Sequence, residues 1–337
     1  MRRLLRAVKI TAIALAAVAL GGLALLAWLW QDRTAPADLP VATAIGAADT
    51  ADRVTATWLG ITTLLFDDGE TQILTDGTIS RYPLAKLLLG WPLESDFAAI
   101  NRALDEYRVD HLRAIVPLHS HFDHVIDAGH VANRTGAMVL GSESSANVAR
   151  GSDVPVDQYQ TLQYNESRYF GQFTLTLRPS RHVALLPGGS HLHAGVIDAP
   201  LSQPAPASAY RTGETYTLRI EHPAGTSLVQ GSAGFVEGQL AGVRADVVWL
   251  SVAGVAGLGR DYARSYWDEL VTGTGARRVY LVHFDDFTRP FGEVALFPDV
   301  VDDVASAAAW FAEFAAAAEP PVEVRVPPFG EPLVLYE

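Results

Sequence analysis

Between positions 119 and 124 the chain reads His119-Ser120-His121-Phe122-Asp123-His124, three imidazoles and a carboxylate within six residues. This stretch directly follows Ala114–Leu118, a short apolar run of the kind that forms a buried strand. On an extended backbone side chains repeat every two residues, so His119 and His121 are expected to point the same way. Asp123 and His124 then fall where the chain turns into a helix. Imidazole and carboxylate are the donors from which a cysteine-free zinc site is built. The competing reading is a polar loop with scattered histidines. A cation reading constrains the fold, because ligands from distant parts of the chain must converge on this strand end.

The chain has no cysteine, which excludes a disulfide scaffold, thiolate zinc sites and a cysteine nucleophile. Its 337 residues, 49% of them hydrophobic, suffice for one large domain or two small ones without covalent staples. The formal net charge is −13. Arg2, Arg3, Arg6 and Lys9 lie in the first ten residues with no acid among them, so the remainder is more acidic still. Such a surface repels phosphate backbones, and nucleic acid is excluded as a partner.

Those four cations precede an uncharged run from Ile10 to Trp30. As a helix it would extend about 31 Å at roughly 1.5 Å per residue, enough to span a bilayer. Trp28 and Trp30 stand at its far edge, where aromatic rings favour the membrane interface, and the basic flank keeps the short tail cytoplasmic. Residues 1–30 are therefore expected to be an N-terminal signal anchor, a single transmembrane helix holding the body at the cell membrane on its periplasmic side. Ala35-Pro36-Ala37 leaves a cleaved signal peptide, and hence secretion, as the alternative. Residues 31–52, rich in Ala, Pro and Asp, are read as a linker, and residues 53–337 as the functional domain.

From Arg53 onward, strand and helix signals alternate. Strands are expected at Val54–Leu59, Thr62–Phe66, Gln72–Thr75, Ala114–Leu118, Ala137–Leu140, Gln172–Leu177, Thr215–Ile220, Ser227–Gln230, Asp246–Ser251 and Arg278–Val282. Helices are expected at Ser95–Tyr107, near His124–Asn133, at Asp261–Val271 and at Asp299–Ala317. The pattern implies an α/β domain of sheets covered by helices. The segment His182–Gly213, rich in Gly, Pro, Ser and Ala, is too long for an ordinary connection and reads as functional or mobile. It carries His191 and His193, which either contact substrate or are ordinary loop residues. His222 looks structural, and His111 and His130 fit no motif.

The order H-x-H-x-D-H at the end of a strand resembles the signature of the metallo-β-lactamase superfamily. Other stretches share the resemblance, which runs from about Arg53 to the C-terminus. Leu74-Thr75-Asp76-Gly77 stands at the place of the family's first motif, Arg181-His182 at its third-motif histidine, and Val282-His283-Phe284-Asp285 at its last. The resemblance implies an αβ/βα sandwich of two mixed sheets with outer helices and metals at one edge. It implies that His119, His121 and His182 hold one metal and that Asp123, His124 and His283 hold a second. Asp76 would orient ligands without being one. Most hydrolases of the family bridge the two metals with an aspartate, and here Ser232, in Gln230-Gly231-Ser232-Ala233-Gly234, stands at that place. One or two Zn2+ ions are compatible with this set, and Asp285 or Asp286 is a possible extra carboxylate.

The activity that the resemblance implies is that of a zinc-dependent hydrolase in which Asp123 orients or deprotonates the attacking water. Diiron members usually carry an acidic residue where His121 stands, which favours hydrolysis over oxidation. The flanks Thr57-Trp58-Leu59-Gly60, Leu74-Thr75-Asp76 and Arg181-His182 look more like the branch of lactonases and N-acyl-phosphatidylethanolamine phospholipases than like resistance enzymes. The expected substrate is a small-molecule or lipid-like ester, lactone, amide or phosphodiester. The alternatives are an exported β-lactamase, or a metal-binding sensory domain on a membrane anchor that lost catalysis with the change to Ser232. The oligomeric state is left open.

Overall fold

The structure, a computed structural model, describes residues 28–185 and 189–336 together with isolated positions between 9 and 25. The run expected to cross the membrane thus lies partly outside the described residues. Among the described residues no helix is long and apolar enough to span a bilayer.

Among the described residues, fifteen strands make two mixed sheets. In spatial order the first holds β1 (Ala42–Thr43), β14 (Glu323–Val326), β13 (Arg278–Val282), β12 (Val247–Ser251), β11 (Gly225–Gln230), β10 (Tyr216–His222), β9 (Phe173–Pro179) and β8 (Ser167–Phe170). Pairing is parallel from β1 to β11 and antiparallel from there to β8. The second sheet runs β15 (Pro332–Val334), β2 (Thr55–Trp58), β3 (Leu64–Asp67), β4 (Gln72–Thr75), β5 (Leu112–Val116), β6 (Met138–Gly141) and β7 (Tyr159–Thr161). It is antiparallel as far as β4 and parallel beyond.

Side-chain alternation explains the layering. Leu64, Phe66, Ile73, Ala114, Val116 and Leu140 join the large core shared with the first sheet. Their neighbours Leu65, Leu74, Ile115 and Val139 pack on the opposite face with Ile100, Leu104, Val131 and Val148 of the covering helices. Strand β12 is buried at every position, as a strand covered on both faces must be. The rings of Phe66 and Trp249 meet edge-on with centroids 6.2 Å apart, joining the two sheets. On the far side of the first sheet, Trp267 of helix Arg260–Trp267 stacks on Phe311 of helix Val304–Ala316. The result is the expected αβ/βα sandwich.

Strands β4 and β13 have the bounds expected from sequence; others differ. Strand β5 begins and ends two residues earlier than expected, so His119 and His121 lie on a loop beyond it. Their rings do not lie side by side as on a strand but meet nearly at right angles, 79°. The helix expected near His124–Asn133 is two, Phe122–Val125 and Ala128–Thr135. The last helix begins at Val304 rather than Asp299 because Asp303 caps it, accepting from Ser306 N at 3.0 Å.

Residues 31–52 are tied to the body at several points. Arg33 Nη1 donates to Asp286 at 2.7 Å and to the Leu296 carbonyl at 2.8 Å. Thr34 N donates to Asp299 at 2.9 Å, Leu39 is buried, and β1 extends the first sheet beside β14.

Candidate metal centre

Five connections converge at one edge of the sandwich. The β4 end carries Asp76, the β5 end carries His119 to His124, the segment after β9 carries His182, the β11 end carries Ser232 and the β13 end carries His283. In open α/β sheets, ligands gather outside the carboxyl ends of strands, and four of these are such ends.

The six residues expected as ligands form two groups, His119–His121–His182 and Asp123–His124–His283. Within each group one ligand atom per residue lies within 4.8 Å of the others. In the first, His119 Nε2 faces His121 Nδ1 at 3.2 Å. His182 donates from Nδ1 to the Val183 carbonyl at 2.9 Å, which leaves its Nε2 as the free lone pair. In the second, His124 Nε2 is 3.2 Å from His283 Nε2 and 3.4 Å from Asp123 Oδ2, and the last two atoms are 3.6 Å apart. The rings of His119 and His124 are 3.8 Å apart between centroids, so the two groups abut.

These residues fit a pair of cations. Tetrahedral zinc with bonds of roughly 2.0–2.1 Å puts neighbouring nitrogens about 3.3 Å apart, close to both facing pairs. In each facing pair the two ring nitrogens lie 3.2 Å apart, close enough for one cation to take both. His119 adds a buried Nδ1 with no partner.

The electrostatics separate the groups. Burial disfavours the charged form of His119, well below the ordinary imidazole value, and takes His121 down to about 4 and His182 to about 3, with neighbouring imidazoles adding to the effect. These rings are neutral, as ligands must be. Burial also works against the charge of His124, but the carboxylates of Asp76 and Asp123 hold it up to about 10. The Asp123 carboxyl, though buried, is kept well below the usual range by His124 and His283.

Asp76 stands behind the second group. Its Oδ2 accepts from His124 Nδ1 at 2.7 Å and from the Thr62 hydroxyl, and its Oδ1 accepts from Leu118 N at 2.8 Å. It therefore touches His124 on the side away from His283. Non-glycine residues in left-handed backbone cluster here: Ile61 (φ 54°), Asp76 (φ 53°), His193 (φ 54°) and His283 (φ 57°). Such backbone costs roughly 1–2 kcal/mol per residue and is characteristic of functional sites. His283 is steadied by donating its N–H to the Ile61 carbonyl at 2.9 Å.

Ser232 is buried beside His182. Its hydroxyl accepts from Val183 N at 3.0 Å, and the amide of Gln230 holds the Ser232 carbonyl at 2.6 Å and Ser180 Oγ at 2.9 Å. Asp285 and Asp286 do not join either group. Asp285 accepts from Ile61 N at 2.8 Å, and Asp286 pairs with Arg33. Away from the centre, His111 lies 3.2 Å from Asp67, His130 stacks on Phe97, and His222 caps a turn at Ala224 N. Two residues at the site, Thr62 and Thr212, carry no sequence signal. Thr212 lies 2.9 Å from His121 Nε2. A threonine next to a histidine only in space leaves no mark in the sequence.

No family model matches the chain, and no curated protein matches it in sequence. Solved structures do match. An isothiocyanate hydrolase from Delia radicum gut bacteria is 14% identical, with 84% of this chain and 100% of that one covered at a TM-score of 0.51. A possible metal-dependent hydrolase from Veillonella parvula is 15% identical with the same coverage and TM-score. CmlA, a diiron β-hydroxylase from Streptomyces venezuelae, is 11% identical over 85% of this chain and 55% of that one, at a TM-score of 0.52. The chain shares its sandwich fold with these solved structures, in agreement with the fold that the resemblance of its motifs implies.

Proposed function

We propose that the chain is a metal-dependent hydrolase that binds one or two zinc ions and cuts a small-molecule or lipid-like ester, lactone, amide or phosphodiester. The observation that carries this is the convergence of two three-residue ligand groups at one sandwich edge, with nitrogen pairs facing each other at 3.2 Å. The solved structures named as hydrolases support the same class. Zinc rather than iron is favoured by the three imidazoles of the first group, a ligand set typical of catalytic zinc, although the fold also occurs in CmlA, named as a diiron protein.

When bound, such ions supply Lewis acidity and acidify a coordinated water to a pKa of about 7. The protein supplies the rest. His119, His121 and His182 hold the first position, and His124 and His283 hold the second with Asp123. The Asp123 carboxylate, kept ionised by its neighbours, orients the attacking water and takes its proton when the second position is empty. Asp76 keeps the His124 ring turned toward the site.

Export is part of the proposal. The cationic residues before the Ile10–Trp30 run support a single-pass anchor with the domain on the periplasmic side, or secretion if the segment is cleaved. Cell fractionation tests this, with the protein expected in the membrane pellet and accessible to protease only after the outer envelope is opened.

The function is tested by elemental analysis of the purified full chain beside a hydrolase panel. At least one tightly bound zinc and turnover of an ester, lactone, amide or phosphodiester are expected. A folded, metal-free protein overturns the reading. Nitrocefin turnover above all other substrates would make it a β-lactamase. Ser232 gives a specific reason to weigh a non-catalytic reading, since a hydroxyl is a poor substitute for a carboxylate. Zinc retained without hydrolysis of any substrate favours a sensory role.

A further inference from the structure

Beyond His182, the limb that carries His191 and His193 lies against the first ligand group, its rings 6.0 and 6.3 Å from that of His121. The two limbs of the segment between His182 and Gly213 are joined where Thr212 N donates to the His193 carbonyl at 3.0 Å and Gly213 N donates to the Gly195 carbonyl at 2.8 Å. Further along, Ile197 N donates to Ser144 Oγ at 3.0 Å and Leu201 N to the Asn147 carbonyl at 3.0 Å, which pins the loop to helix Glu143–Gly151.

At the junction sits one buried hydroxyl. Thr212 Oγ1 is 2.9 Å from His121 Nε2 and 2.7 Å from His191 Nε2. His121 turns Nδ1 toward His119; with Nδ1 as its ligand atom, its Nε2 would carry the ring proton and donate it to Thr212. The threonine's own hydrogen then goes to His191 Nε2 or to the His193 carbonyl at 3.3 Å. The His191 ring also stacks on His182, with centroids 4.5 Å apart and planes at 27°. His191 thus reaches two of the three rings of the first group while belonging to neither group itself.

We propose that Thr212 and His191 are positioning residues for the first metal position: Thr212 fixes the tautomer and rotation of His121, and His191 completes the relay and braces His182. The proposal rests on reading His119, His121 and His182 as ligands of a divalent transition metal. Outer-shell partners of a metal-binding histidine fix its tautomer and raise its basicity, and their loss typically weakens metal affinity about 10–100-fold. The same bonds tie the loop to the site. Thermodynamic reciprocity then requires that occupancy of the first position order the His191–Gly213 limb.

The test uses the full chain with Zn2+ and Co2+ as probes. Thr212→Val keeps the side-chain volume and removes only the hydroxyl. It is expected to weaken the tighter zinc site about 10–100-fold in competition with a chelating dye and to change the visible spectrum of the Co2+-loaded protein. Thr212→Ser restores the hydroxyl and is expected to stay within about three-fold of the parent. His191→Phe, which keeps a ring for stacking but accepts no hydrogen bond, is expected to fall between the two. In the parent protein, zinc should slow amide exchange in residues 191–213; in Thr212→Val this protection should no longer follow the metal. If Thr212→Val and His191→Phe both bind zinc with parental affinity and an unchanged Co2+ spectrum, the relay is wrong while the metal centre stands. If the parent binds neither ion, the metal centre itself fails and the relay with it.

Discussion

Asp76 and His124, both wholly buried, share a hydrogen bond of 2.7 Å between Oδ2 and Nδ1. The bond decides what His124 can do. With Nδ1 turned to a carboxylate, Nε2 is left to face His283 and Asp123. Asp76 meets two further donors, the Thr62 hydroxyl and Leu118 N, so its two oxygens receive three hydrogen bonds. Asp76→Asn leaves one oxygen for those three donors and turns an amide N–H2 against at least one of them. The variant should lose stability by about 1–3 kcal/mol, as expected for a buried polar group left unpaired. It should also bind its second metal about 10–100-fold more weakly. Denaturant titration of the metal-free protein and metal titration of the folded variant measure the two effects separately.

Removing the metal should destabilise the protein, because an ion that binds only the folded chain adds RT ln(1 + [L]/Kd) to its stability. At free zinc about 100 times Kd this is about 2.7 kcal/mol, or several degrees in Tm for a domain of this size. Calorimetry with and without a chelator checks it. Equal melting temperatures in both states would mean that the two groups do not hold an ion in the folded protein. Substituting alanine for His182 and for His283 should separate the positions, each variant losing one equivalent while keeping the other.

Gly234 sits where no side chain fits. A Cβ there would stand 2.3 Å from the Arg181 carbonyl oxygen and 2.7 Å from the carbonyl carbon of His182, both main-chain atoms. Gly234→Ala must therefore displace the segment that aims His182. The cost should be about 1–3 kcal/mol, as for other overpacked sites. Metal loss is expected at the first position and not at the second. A variant with full stoichiometry and parental stability would show that the segment after β9 gives way freely.

Much of this arrangement is legible in the residues. The 119–124 signature and the histidines after the strands preceding His182 and His283 carry the six ligand candidates, and the structure brings those side chains together in two groups. Strand ends leave a local mark because a buried apolar run stops abruptly where polar residues begin. Less can be read where geometry depends on contacts distant in sequence. The edge strands β1, β7, β8 and β15, and β14 beside β1, are short and mostly half-buried or exposed, so they lack a hydrophobic period. Helix Glu143–Gly151 escapes a periodicity reading although Ser142 caps it, because its buried residues are mostly Ser, Ala and Asn, with Val148 the one large apolar side chain among them. Thr212 and Thr62 act through bonds to histidines 91 and 62 residues away, a relationship that only the folded chain creates.

Asp302 offers a pH signature outside the ligand groups. Its carboxylate accepts from Gly254 N at 3.1 Å, and burial pushes its carboxyl up to about 6 from an ordinary 3.8. A raised acid means that the folded chain binds this proton more tightly than the unfolded one. Its stabilising contribution is thus present below about pH 4 and is lost as pH rises toward 6. At about 1.4 kcal/mol per unit the loss amounts to at most about 3 kcal/mol. Asp302→Asn keeps an acceptor for Gly254 and removes the titration. The difference in stability between variant and parent, both metal-free, should grow in the variant's favour from pH 4 to pH 6 and then level off. A constant difference across that range would mean that Asp302 stays ionised in the folded state.

Ser232 bears on whether one ion or two are held. Its hydroxyl accepts a hydrogen bond from Val183 N, next to His182, so this loop brings a neutral group and no carboxylate to that neighbourhood. An oxygen anion there would attract both cations, whereas a neutral hydroxyl offers only a weak dipole. Ser232→Asp should therefore raise occupancy of the second position at limiting zinc, measured as metal per chain after dialysis against a weak chelator. The new carboxylate can still accept from Val183 N, so the segment carrying His182 need not move. Unchanged stoichiometry, with the variant folded, would place Ser232 outside reach of the second ion and make its hydroxyl a brace for the Val183 backbone alone.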